Sequence, residues 1–398
     1  MTIPAALARR REYAGPAIFS YGFRPFFLFG AVWAALVIVL WIPQYVGSFM
    51  LPSKLNPLYW HIHEMLFGYV SAVVAGFLLT AIPNWTGRLP LYGTPLAALA
   101  AVWLAGRVAM LSTAWIGLPA AAVIDSAFLV VLLAVTLREI VAGKNWRNLR
   151  VLGIIAVLIL ANAVFHVETI LHGAPDYGER LGFAAVLMLI SLVGGRVIPS
   201  FTRNWLVRAN PGRLPQPFGA FDGVTLAVSA LAFLAWVVAP HFAGSGVLLI
   251  AAGLLHAGRL TRWAGDRTFA DRLVLVLHVA YAFVPLGFLL TGASVLWPLA
   301  VPESAGLHAF GGGAIGMMTL AVMTRASLGH TGQALAATPA TQAIYACVAV
   351  GALARILAAF TGGMGLMHFS ATAWVLGFAG FAVVYGPALL GRPPIWAR

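Results

Sequence analysis

Apolar residues run along this chain in blocks of about twenty, separated by short polar stretches that carry Pro, Gly and Arg. Blocks of that length are the unit of a helix that crosses a bilayer. Twelve begin near Pro25, His61, Pro95, Leu118, Leu149, Glu179, Ala220, Ser245, Asp271, Gly306, Pro339 and Met367. They predict an all-α integral membrane bundle of about 12 transmembrane helices, a single polytopic membrane domain over residues 1–398. The longest connection, Thr202 to Gly219, is rich in Pro and Arg and leaves no room for a second soluble domain. The first block exceeds a signal-peptide core and has no convincing small-residue cleavage site, so it is expected to be retained.

Composition agrees with the pattern. Of 398 residues, 61% are apolar and 9% charged, where a soluble domain carries about 25% charged residues. The net charge of +13 raises the possibility of a nucleic-acid partner, but its distribution argues for a membrane instead. Most Lys and Arg, among them Arg9, Arg10, Arg11, Arg24, Arg88, Arg138, Arg203, Arg208, Arg259, Arg325, Arg392 and Arg398, fall at the termini or in the connections that follow even-numbered spans. Lys54 and Arg180 fall on the opposite side, and Arg107, Arg196 and Arg355 lie within spans. The positive-inside rule then places both termini in the cytoplasm. The lone cysteine, Cys347, excludes an intramolecular disulfide and a cysteine-rich metal site.

The chemistry centres on Trp60-His61-Ile62-His63-Glu64-Met65, which opens the second span. Ionisable groups at membrane depth are costly and mark working sites, the plain alternative being an interfacial histidine pair with no ligand. Residues two apart on a helix point about 200° from each other, so His61 and His63 suggest two centres, one on each side of the span. Glu64 shares the face of His61 and is expected to orient its second ring nitrogen. The predicted topology brings other groups to the same outer level: Asn162, His166, Glu168 and His172 on span five, Asp125 on span four, Arg107 on span three, His308 opening span ten, His368 and Arg355.

A buried Arg there has two open readings, pairing with carboxylates or gripping a haem propionate through its planar fork. Arg24, in Tyr21-Gly22-Phe23-Arg24-Pro25, is either an interfacial anchor or the grip for an anionic group. His256 and His278 lie deeper, as core histidines or facing each other; His241 and His330 read as loop residues. Gly311-Gly312-Gly313-Ala314-Ile315-Gly316 matches a dinucleotide fingerprint, but it sits inside an apolar span and fits close helix packing better. Several imidazoles without a thiolate cluster suit haem iron and copper. A haem with His61 or His63 opposite His308, and copper or a second haem at the other span-two histidine with His166 and His172, would serve a diatomic ligand, with protons entering through Glu64, Glu168 and Asp125.

The run WHIHEMLFGYVSAVVAGFLLTAIPNWTG from Trp60, the segment YGFRPFF from Tyr21, GGRVIP from Gly194 and TLAVMTRASLGHTG from Thr319 resemble the NnrS family over most of the chain. The resemblance implies a twelve-span protein of the bacterial inner (cytoplasmic) membrane, containing haem (b-type) and copper. It implies a link to nitric oxide metabolism and nitrosative stress, with a distant similarity to the haem-copper oxidase and nitric oxide reductase subunit. His61, His63 and His308 become the ligand candidates, with His278, Arg24 and Arg107 as further cofactor contacts and Glu64 and Glu168 as catalytic acids. The expected partners are nitric oxide or another small diatomic, the lipid bilayer and an electron donor of unknown identity, with no nucleic acid. The alternative is a non-enzymatic transporter or a metal- or haem-handling protein.

Overall fold

A computed structural model describes residues 13–391. Arg9, Arg10, Arg11, Arg392 and Arg398, which enter the charge asymmetry, lie outside the described residues. Among the described residues every regular element is helical. Twelve helices are long and apolar enough to cross a membrane, each starting within a few residues of a predicted block: α1 (Phe23–Tyr45), α2 (Pro57–Thr86), α3 (Thr94–Leu111), α4 (Leu118–Ala142), α5 (Trp146–His172), α6 (Asp176–Ala209), α7 (Ala220–Val238), α8 (Ala243–Arg267), α9 (Arg272–Leu296), α10 (Glu303–His330), α11 (Pro339–Thr361) and α12 (Met364–Leu390).

Local chemistry sets the helix ends. The Asn56 side chain accepts from Leu58 N–H at 2.9 Å ahead of Pro57, and Asp271 and Thr338 cap α9 and α11 in the same manner. Gly87 and Gly173 close α2 and α5 in the left-handed region that a side chain resists. A helix satisfies most of its backbone polar groups internally, which is why a chain crosses hydrocarbon in this form.

The chain divides into two compact units. The first holds the chain up to Glu179 with Met323–Ala334 and the stretch from Phe378; the second holds Arg180–Val322 and Leu335–Gly377. In the first unit α2 packs on α1, α3 and α4, and α4 packs on α5. In the second, α8 packs on α7 and α9, and α9 packs on the first half of α10. Helix α2 is 83% buried along its most apolar window, while α4 and α7 are only 33% buried. The large apolar side chains left open, such as Val123, Leu234, Leu254 and Val383, suit a lipid-facing surface rather than water.

Candidate metal centre

Helix α2 does not run evenly through the histidine stretch. From Glu64 to Tyr69 it widens into a π-helix, a device that leaves a carbonyl outside the regular ladder and recurs at functional sites. The Gly68 carbonyl accepts from Trp103 Nε1 on α3 at 2.9 Å. Gly68 itself permits a close approach: a methyl group there would lie 2.7 Å from Glu64 Oε2 and 3.0 Å from Trp33 Nε1, and would strike the Arg107 guanidinium. Through that gap Arg107 reaches Glu64, which accepts from Nη1 at 2.5 Å and from Trp33 Nε1 at 2.8 Å.

These contacts also set the direction of Glu64. Its Oε1 lies 2.9 Å from Nδ1 of the adjacent His63, so the carboxylate orients His63 and not His61, because Trp33 and Arg107 hold its other oxygen on the His63 side of the helix. His61 instead stacks on Trp41 of α1, ring centroids 4.3 Å apart at 22°. The two histidines do face different neighbours, as their spacing predicts.

Asp125 of α4 is the meeting point. Its Oδ1 accepts from Arg107 Nη2. Its Oδ2 lies 3.0 Å from His166 Nε2, 3.2 Å from His63 Nε2 and 2.8 Å from Asn162 Nδ2. That last bond fixes the Asn162 amide, whose oxygen then faces His63 Nε2 at 3.1 Å. Four helices thus bring His63, Glu64, Arg107, Asp125, Asn162 and His166 into one contact group, each at most 6% exposed. Of the two readings open for Arg107, the geometry is carboxylate pairing.

Charge counting shows what the group lacks. Two carboxylates against one guanidinium leave one negative charge unbalanced in a low-dielectric interior. Both ring nitrogens of His63 face acceptors, so one more positive charge belongs there, as a second imidazole proton or as a cation. The donors suit a cation: one ligand atom each from His63, Asp125 and His166 lie within 4.8 Å of one another. The 3.0 and 3.2 Å edges are the separation of ligand atoms each about 2.0–2.1 Å from a common ion at near right angles. Two imidazoles and a carboxylate suit copper, zinc or non-haem iron.

The remaining candidates are placed apart from this group. His172 is exposed at the end of α5. Glu168 accepts from the backbone N–H of Tyr177 at 3.0 Å and Gly178 at 2.8 Å, capping α6. Arg24 donates through Nη1 to the carbonyls of Leu389 at 2.9 Å and Gly391 at 2.7 Å, closing the last helix on the first. His308 belongs to the second unit; its Nδ1–H donates to Ser304 O at 2.7 Å, which turns the Nε2 lone pair outward in the manner of a metal-binding histidine. A second π-helix follows at once, Ala309–Ile315, with Gly311 and Gly312 meeting nothing closer than 3.6 Å where a side chain would stand, and Arg355 acts on His308 electrostatically. Thr202 donates to Ile198 O and so accepts from His278 Nε2–H at 2.8 Å. The His278 Nδ1 edge is buried against Gly265.

A second buried group escaped the sequence argument. Ser229 donates to Thr225 O, so it accepts from His256 Nε2–H at 2.9 Å, and His256 Nδ1 accepts from Tyr281 O–H at 2.8 Å. Tyr281 accepts from Arg259 Nη1 at 2.9 Å, and Arg259 Nε donates to Asp222 at 2.7 Å. Arg259 counts as a loop cation in the sequence, yet it is fully buried. The only available signal was the pairing of a lone Asp early in α7 with an Arg late in α8.

The model of the NnrS protein family matches residues 17–392. The chain belongs to the NnrS family. No curated protein and no solved structure matches it. Family membership and the twelve apolar helices make it a multi-pass membrane protein of a family linked to the nitric oxide response.

Proposed function

We propose that the protein is a haem- and copper-holding protein of the bacterial inner membrane that binds nitric oxide and protects the cell from nitrosative stress, with both termini cytoplasmic. One observation carries the reading: His63, Asp125 and His166 converge, buried, in a group one positive charge short of balance. In this reading those three residues hold copper. Glu64 fixes the ring of His63, Asn162 steers Asp125, and Arg107 holds both carboxylates in place. The π-turn and Gly68 bring these groups within reach of one another. Haem of the b-type belongs to His308, where the Ser304 carbonyl fixes the tautomer and Arg355 offers a partner to a propionate. Bound copper and haem iron supply open coordination positions for a diatomic and one-electron chemistry.

A second reading has its own support. Once His63 carries a second proton, every hydrogen bond it makes in the group is matched without a metal, so the group also suits a proton-loaded ion network in a non-enzymatic metal- or haem-handling protein. Metal analysis with optical and electron paramagnetic resonance spectra of the purified chain separates the two. Stoichiometric copper lost in His166→Ala, together with a haem spectrum that shifts with nitric oxide and is lost in His308→Ala, supports the first reading. Copper-free protein whose stability still depends on His63 and Asp125 supports the second and removes the first. Steady consumption of nitric oxide under reductant would add reductase turnover to binding.

A further inference from the structure

At the other end of the same two helices lies a different site. Helix α2 leaves through Thr86 to Arg88, and α4 ends at Val135–Ala142, about four turns or roughly 20 Å from Asp125. Between them is a cavity of about 210 Å³ with an apolar floor that includes Leu79, Ile82, Leu91 and Val135, and a mouth that carries Arg88, Arg138 and Glu139. Glu139 holds both guanidinium groups. Its Oε2 accepts from Arg88 Nε at 2.6 Å, and its Oε1 accepts from Arg138 Nε at 2.9 Å. Arg138 Nη2 also lies 2.8 Å from Oε1. The Nη groups of Arg88 make no hydrogen bond to another described residue, and the two arginine side chains are 45% and 66% exposed. The rim is tied down as well, since Asn145 donates to the Trp85 carbonyl across the two helix ends.

We propose that this is a binding site for one anionic glycerophospholipid, its phosphodiester held by Arg88 and Arg138 and the start of an acyl chain lying in the cavity. Two cations less one carboxylate leave a single positive charge at the mouth, the complement of a monoanionic phosphodiester. Free guanidinium edges suit its oxygens. A soluble anion has no use for the apolar floor, and a neutral lipid has none for the unbalanced charge. Lys144, Arg147 and Arg150 stand exposed nearby with Trp146 at 58% exposure, an attractive field and an interfacial anchor at headgroup level. Glu139 is the positioning residue that keeps the two arginines at the mouth.

The test uses the full purified chain in detergent, with phosphatidylglycerol, phosphatidylcholine or inorganic phosphate added, read by native mass spectrometry and by thermal unfolding. Phosphatidylglycerol is expected to be retained and to raise the melting temperature, while phosphatidylcholine and phosphate do neither. In Arg88→Gln/Arg138→Gln its affinity is expected to fall roughly thirtyfold, the weight of two near-surface cations. Val135→Trp, which fills the cavity and keeps every charge, is expected to lose retention as well and covers the case in which the arginine variant does not fold. Three outcomes overturn the proposal: equal retention of the neutral lipid, stabilisation by phosphate as large as by lipid, or an equal loss from Lys144→Gln/Arg147→Gln/Arg150→Gln, which would reduce the effect to diffuse surface charge.

Discussion

Replacing Arg107 by Met tests the metal-centre geometry most directly. The side chain is 2% exposed and makes two charge-assisted hydrogen bonds, to Glu64 and to Asp125. At about 1.5–3 kcal/mol each, their loss amounts to roughly 3–6 kcal/mol, which brackets the ~3–5 kcal/mol typical of breaking a buried ion pair. The cost arises less from missing attraction than from two buried carboxylates left facing each other. Uptake of a proton by one of them sets the ceiling. Unfolding by SDS titration in mixed micelles reads the difference directly. The sharper test is a double-mutant cycle: with Glu64→Gln already present one buried charge is gone, so Arg107→Met is expected to cost about 2 kcal/mol less than in the parent chain. A loss below about 1 kcal/mol for the single variant, or strict additivity in the cycle, would show that the guanidinium does not hold these carboxylates together.

Three further outcomes follow from the same contacts. Asp125→Asn and His166→Ala are expected to lower bound copper per chain to near zero by elemental analysis, while His172→Ala, exposed and remote from the group, leaves it unchanged. Gly68→Ala places a methyl group against Glu64 and the Arg107 guanidinium and is expected to cost about 1–3 kcal/mol in the same SDS titration, with bound copper falling in parallel. Tyr281→Phe removes the hydroxyl that links Arg259 to His256 and is expected to cost about 1–3 kcal/mol without altering the copper content, since that network holds no candidate ligand for it.

The twelve helices were legible because a block of about twenty apolar residues has few other uses. The coincidence of depth among His63, Asp125, Arg107 and His166 was legible for a related reason: once the spans are counted, chain position fixes height in the membrane. Azimuth was not. Helical spacing places Glu64 on the face of His61, and its partners on other helices, Trp33 and Arg107, which no periodicity announces, turn the carboxylate to His63. Arg24 and Glu168 were legible as unusual but not as caps, because their acceptors and donors are backbone groups at Leu389, Gly391, Tyr177 and Gly178 that look the same in every sequence. The Asp222–Arg259 pair was hidden by the assumption that an arginine near a helix end faces water.

The two buried ionic groups use the same parts and arrive at different chemistry, and the difference lies in where the hydrogen bonds terminate. Each sets an arginine against a glycine, Arg107 against Gly68 and Arg259 against Gly195, so that the guanidinium can lie close to a helix backbone. Each pairs that arginine with a buried aspartate and places a histidine nearby. Around His256 the hydrogen bonds run in one direction: Arg259 to Tyr281, Tyr281 to Nδ1, Nε2 to Ser229, and Ser229 to a backbone carbonyl. No imidazole lone pair remains for an ion, and the one carboxylate faces two guanidinium groups, Arg259 at 2.7 Å and Arg262 at 4.0 Å. Around His63 the chain of donors instead ends on a second carboxylate, both nitrogens of the ring meet acceptors, and His166 points at the same oxygen. A surplus of acceptors and one missing positive charge are what a cation requires. Asn162, by turning its amide nitrogen to Asp125 and its oxygen to His63, keeps the group open to one: Asn162→Leu is expected to leave the fold standing and weaken copper retention, and unchanged retention would mean that this amide does not shape the site.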